Sequence, residues 1–145
     1  MLTVYPACFF KDEDGYTVVF PDLENGNLAT FGKNMEEAIT MAVDCLAGYI
    51  YTSEQFGEPI PTPSSISDID IDAIEKIFIS EGCPASTEKF VNLVSVDVAA
   101  YAKEHFEKSV KKTLTIPTWL NELAIEQNIN FSQVLQEALL AKLRA

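Results

Sequence analysis

The chain has 145 residues, 48% of them apolar, and a formal net charge of −12. That composition supports a packed core and excludes global disorder. No apolar run approaches the roughly 18 residues of a membrane span, and no basic segment precedes the apolar start "MLTVYPACFF", so no signal peptide is expected and a cytoplasmic protein is. Cys8, Cys45 and Cys83 are odd in number and lack CxxC spacing. With a single histidine, His105, they predict no metal site and no cofactor, and they fit a reducing compartment.

In chain order, residues 2–11 read as a first strand, "KDEDG" (11–15) as a hairpin loop closing on Gly15, and Tyr16–Phe20 as a second strand stopped by Pro21. "DLENGN" is a turn-rich loop, and Leu28–Phe31 a short third strand. "NMEEAITMAVDCLAGYIYTSEQ" reads as a helix. Asn34 is its N-cap, Glu37 completes a capping-box pattern, and Ala38, Met41, Ala42, Cys45 and Tyr49 form its core stripe. "FGEPIPTPSS" (56–65) is a proline-bearing surface link. Alternation over 66–72 favours a short strand or extended chain, with a helical turn or two over 73–79. Residues 89–98 form a β-branched strand, followed by a helix through "VAAYAKEHFEKS".

The last segment, "KKTLTIPTWLNELAIEQNINFSQVLQEALLAKL", begins as a strand. Leu114 and Ile116 point one way; Lys111, Thr113 and Thr115 point the other. Pro117 ends the strand and begins a helix carrying Leu120, Leu123 and Ala124 on one face. Asn128 stops that helix. Asn130 and Gln133 are spaced as N-cap and N3 of a second helix, striped by Val134, Leu135, Ala138, Leu139 and Leu143. A unit of this size has too little core to stand alone, and its strand has no partner within it. A twofold homodimer solves both problems. Strand pairs with strand, and Leu114, Ile116, Leu120, Leu123, Val134, Leu135, Ala138 and Leu139 share a core. Such a two-stranded ribbon fits the major groove of DNA. Thr113 and Thr115 would face base edges, Lys111 at the ribbon end would lie near phosphate or base with Lys112 beside it, and the helix start at Asn130, Phe131 and Ser132 would hold a phosphate.

Charge divides the chain similarly. Residues 1–108 hold 19 carboxylates against 6 cations, while residues 109–145 hold 3 against 4. The first domain is therefore excluded as a reader of nucleic acid and suits a basic protein partner. Its acidic loops place Asp12, Glu13, Asp22 and Glu24 as candidate contacts. Asp22 and Glu24, with Asp44, are also the carboxylates a metal-dependent nuclease would need. Pro-Asp turn capping and a mid-helix position account for them without chemistry, and no catalytic residue is predicted. Trp119 reads as a rim residue beside its helix stripe.

The last segment resembles a ribbon-helix-helix repressor module, with its alternating strand, "IP", paired leucines, turn and "EAL" helix. "GYTVVFPDLENGNLATFGKNMEEAITMAVDCLAGYI" and "EPIPTPSS" resemble the N-terminal domain and link of HicB antitoxins. Together the two resemblances span residues 4–65 and 89–143; residues 66–88 exceed the family pattern. The resemblance implies an α+β fold: an N-terminal β-β-β-α-β-α partial RNase H-like domain over 1–108 and a C-terminal β-α-α ribbon-helix-helix module over 109–145. It implies an antitoxin that blocks HicA, a small basic mRNA-cleaving ribonuclease, and represses its own operon at operator DNA as a dimer or tetramer. Where many ribbon modules carry Arg, Asn or Gln, this one presents Thr113 and Thr115, so it leans on Lys111, Lys112 and multivalent binding. The alternative reading is a ribbon-helix-helix repressor whose N-terminal domain senses a small ligand.

Overall fold

The structure, a computed structural model, describes residues 1–144. It divides into a unit over Met1–Glu107 and a smaller one from Lys108 onward.

The first unit is built on a four-stranded antiparallel sheet of order β3-β2-β1-β4. Its strands are β1 (Thr3–Lys11), β2 (Tyr16–Phe20), β3 (Leu28–Gly32) and β4 (Glu88–Val96). β1 and β2 join through a tight hairpin. The Asp12 carboxylate accepts from the Asp14 and Gly15 amides at 2.8 and 3.2 Å. Gly15 sits at φ 146, and a Cβ there would lie 2.3 Å from the Gly32 carbonyl oxygen, so the hairpin requires glycine.

Alternation along the strands gives the sheet two apolar faces. On the front, Ala7, Phe9, Val18 and Phe20 pack against helix α1 (Met35–Gln55), and helix α3 (Val98–His105) adds Val98. α1 begins as its sequence predicts: Asn34 accepts from the Glu37 amide at 2.9 Å. The Glu37 carboxylate reaches back to the Lys33 amide at 3.1 Å, one residue before the predicted cap. Most of the expected core stripe of α1 lies on the core side, with Met41 the exception. Ala38, Ala42, Leu46, Ala47 and Ile50 are buried, Cys45 and Tyr49 are partly buried, and Met41 faces solvent. The reason is helical phase: the buried stripe runs through Ala38, Ala42, Leu46 and Ile50 at four-residue spacing, which turns it away from Met41. At the helix start the approach is close, since a Cβ on Gly32 would lie 2.2 Å from the Ala38 backbone nitrogen.

On the back, Cys8, Phe10 and Val19 are covered by Ile69, Ile71, Ile74 and Phe78. These belong to a segment expected to be extended over 66–72 and to make a helical turn or two over 73–79. Ile66–Asp68 forms a 3-10 turn in place of extended chain, and the helical part is longer than expected: a helix, α2, runs over Ile71–Ser80. Asp70 caps it by accepting from the Ala73 amide at 3.1 Å. The apparent alternation marks a helix start, because Ile71, Ile74 and Phe78 continue at helical spacing. The order of the first unit is therefore β-β-β-α-α-β-α, one helix more than predicted. Lys89 of β4 ties α2 down, reaching Asp72 at 2.5 Å and Glu75 at 2.9 Å. Glu75 also accepts from the Ser86 amide at 3.1 Å and from the Ser86 hydroxyl.

The second unit contains α4 (Thr118–Glu126) and α5 (Phe131–Arg144). Pro117 occupies the N-cap of α4, so the helix begins one position later than expected, at Thr118. Asn128 at φ 57 ends the chain's turn out of α4, and Asn130 caps α5 by accepting from the Gln133 amide at 3.1 Å. Residues 111–116 form no strand within the single chain, because none of the described residues offers them a ladder.

Candidate binding surfaces

The four acidic candidates do not form one cluster. Asp12 and Glu13 lie in the β1–β2 hairpin, whereas Asp22 and Glu24 follow the other end of β2. Five strand residues separate the pairs by about 17 Å. Each pair also has its own local employment. Asp12 holds its hairpin together, as described. Asp22 fastens the proline-bearing link: its carboxylate accepts from the Ser64 hydroxyl at 2.5 Å and the Ser64 amide at 2.9 Å. The Tyr5 hydroxyl donates to the Pro61 carbonyl beside it. Burial, then the nearby Asp22 carboxylate, raises the Tyr5 pKa, so this hydroxyl stays a donor. Burial, with Asp22 again second, pushes the Cys8 thiol up to about 11, which leaves it a small apolar filler of the back face.

Glu13 and Glu24 are exposed. Glu24 opens a left-handed turn in which Glu24, Asn25 and Gly26 take φ 52, 55 and 81. Asp44, the third carboxylate a nuclease would need, accepts from the Tyr101 hydroxyl at 2.8 Å and ties α3 to α1. That bond is part of why the Tyr101 pKa rises to about 12, burial being the larger cause. Among the described residues, no group of three His, Cys, Asp or Glu side chains is arranged to hold a metal ion.

In the second unit, Lys111, Lys112, Thr113, Thr115 and Ser132 are exposed, and Phe131 is 44% exposed. Asn130 is spent on its cap. The predicted dimer-core side chains are open in the single chain. Leu114, Ile116, Leu120, Leu123, Val134 and Leu139 are exposed, as is Ala138; Leu135 is half-buried. Trp119, at 63% exposure, lies open on α4 beside them. Neither α4 nor α5 has a buried residue.

Sequence reasoning missed the back of the first unit. Between α2 and the Pro21–Asn27 loop lies an open groove of about 250 Å³, floored by Val19 and walled by Ile77 and Phe78. Its signal was the helical spacing in 71–78, masked by the aspartates before it.

Comparisons with known proteins agree with this architecture. The family described as HicB_like antitoxin of bacterial toxin-antitoxin system matches residues 4–74. A chain from a toxin-antitoxin complex of Streptococcus pneumoniae is 33% identical, with TM-score 0.63 over 98% of this chain and 99% of that one. Antitoxin HicB 2 of Photorhabdus laumondii is 39% identical over 61 residues, 42% of each chain, so the match spans under half of that relative's length. The chain belongs to the HicB-like antitoxin family of bacterial toxin–antitoxin systems.

Proposed function

We propose that this protein is an antitoxin with two working parts. The first unit, a partial RNase H-like frame without chemistry of its own, binds and occludes a small basic HicA-like ribonuclease. The second is a ribbon-helix-helix module that dimerises, binds operator DNA and represses the operon. The carrying observation is the exposure of both faces of the second unit. Leu114, Ile116, Leu120, Leu123, Val134 and Leu139 cannot remain in water together. Their own unit offers no cover, and residues 111–116 have edge amides with nothing to pair with. A second copy supplies both missing halves at once, and antiparallel pairing of 111–116 then turns Thr113 and Thr115 outward as a groove-reading ribbon.

The partner of the first unit follows from charge. With 19 carboxylates against 5 cations over residues 1–107, this unit favours a cationic protein and steers its approach. The S. pneumoniae relative, which aligns over nearly the whole chain, comes from a toxin-antitoxin complex. The test is biochemical. A small basic HicA-like ribonuclease that this chain recognises should cleave RNA alone and stop cleaving when this chain is added in equal amount. On the DNA side, replacing Thr113 and Thr115 by alanine should weaken operator binding by about tenfold or more while barely changing binding to unrelated DNA. Equal losses on both DNAs would mean that the ribbon faces another way.

A further inference from the structure

We propose that the groove on the back of the sheet, between α2 and the left-handed turn, is the surface that receives the basic toxin. This deepens the toxin-binding reading above and rests on it. The groove takes an apolar side chain of the partner between Ile77 and Phe78 on one wall and Asn25 and Gly26 on the other, with Val19 as floor and Glu81 at its end.

Three observations support a protein occupant of that charge. First, the groove is apolar and open. Ile77 is 57% exposed, while Val19 beneath it is fully buried. On the same sheet face, Phe31 of β3 is 42% exposed, two residues along β3 from the Ala29 that pairs with Val19. Exposed apolar side chains on one face favour a protein partner there. Second, the surroundings are acidic. Residues 68–81 carry Asp68, Asp70, Asp72, Glu75 and Glu81 against Lys76 alone, and Glu24 opens the turn that forms the far wall. This charge repels a second copy of the same unit and attracts a cationic protein. Third, a small ligand is poorly served. The cavity is below the usual size of ligand pockets, roughly 300–1,000 Å³, and no buried side-chain polar atom among the described residues lacks a partner there or elsewhere.

The far wall is strained. Glu24 holds the left-handed conformation that most side chains avoid, followed by Asn25 and Gly26, which tolerate it. Strain of this kind persists where the surrounding structure or a function maintains it. Here it aims the Asn25 and Gly26 backbone at the groove.

The test uses the full chain and the small basic protein encoded beside its gene as probe, with affinity measured by calorimetry. Ile77→Lys places a cation in the apolar wall at an exposed position. It should weaken binding about 30-fold or more, the mark of a hot-spot residue. Glu81→Lys should weaken it about tenfold and reduce its dependence on salt. Met41→Lys, on the solvent side of α1 across the sheet, should leave binding within about threefold. If Ile77→Lys proves misfolded by circular dichroism, Glu81→Lys decides. Wild-type affinity in both groove variants would overturn the proposal and leave the antitoxin reading intact. A change in the oligomeric size of the free chain in Ile77→Lys, without a change in toxin affinity, would assign the groove to contact between copies and overturn it too. Failure of the wild-type chain to bind the probe would defeat the underlying reading and the groove with it.

Discussion

Glu24 is the most unusual single residue of the chain. It holds φ 52 in a turn whose next two residues are also left-handed, and its side chain is exposed. A glutamate there costs about 1 kcal/mol relative to a residue that tolerates the conformation. Glu24→Gly should therefore raise stability by about 1 kcal/mol, read as a higher denaturant midpoint with an unchanged slope. A lower midpoint would show that the side chain contributes more than the backbone loses. At this scale the sequence is readable wherever the cause is local. Gly15, Asn34, Asn128 and Asn130 all serve the turns and caps their spacing predicts, because each acts within about four residues. Asp22 is different. Its partner Ser64 is 42 residues away, and no spacing rule reaches that far.

Among the elements, α2 depends most on polar contacts. None of its residues is fully buried, and it is held by three partly buried apolar side chains and the Lys89–Asp72–Glu75–Ser86 network. Hydrogen bonds from the Ser86 hydroxyl, then from Lys89, lower the Glu75 pKa from 4.5 to about 2. A depressed carboxylate contributes its stabilisation fully above its ordinary pKa and loses it on acidification. Docking of α2 should therefore hold constant from pH 8 down to about 4.5 and weaken as pH falls from there toward about 2. Hydrogen exchange of the α2 amides, measured against pH, would follow it. Glu75→Gln should flatten that acid limb and leave more rapid exchange at neutral pH. An unchanged limb would place the acid sensitivity elsewhere. This helix was also the element least legible in the sequence. Aspartates at 68, 70 and 72 mimic a polar strand face, and only the sheet behind them reveals that Ile71, Ile74 and Phe78 share one side. α1 was legible as a helix and in most of its facing: of the expected stripe only Met41 turns to solvent, because the buried positions follow one another four residues apart from Ala38 to Ile50.

Across the whole molecule, the two units differ in charge and in how much core each closes. The first closes its own core on both sides of a sheet. The second buries nothing in either helix. The proposed function predicts that Leu123→Asp gives a smaller species by light scattering and abolishes operator binding, while toxin binding by the first unit is kept. A dimer of unchanged mass would reject the shared core. What was legible in the sequence is that this unit has too little core of its own: two short helices and six alternating residues cannot enclose themselves, which is the ground for proposing a second copy. The groove beside α2 was not, because it joins a loop near residue 25 to a helix near residue 77.

The central claim is that this chain neutralises a basic ribonuclease. The most direct test is growth of cells expressing the small neighbouring reading frame, alone and together with this protein. Arrest by the neighbour alone, with full rescue by this chain and continued rescue by Leu123→Asp, is the predicted result. Arrest that persists when both proteins are present and folded, or a neighbour that causes no arrest although it is made and folded, would contradict it.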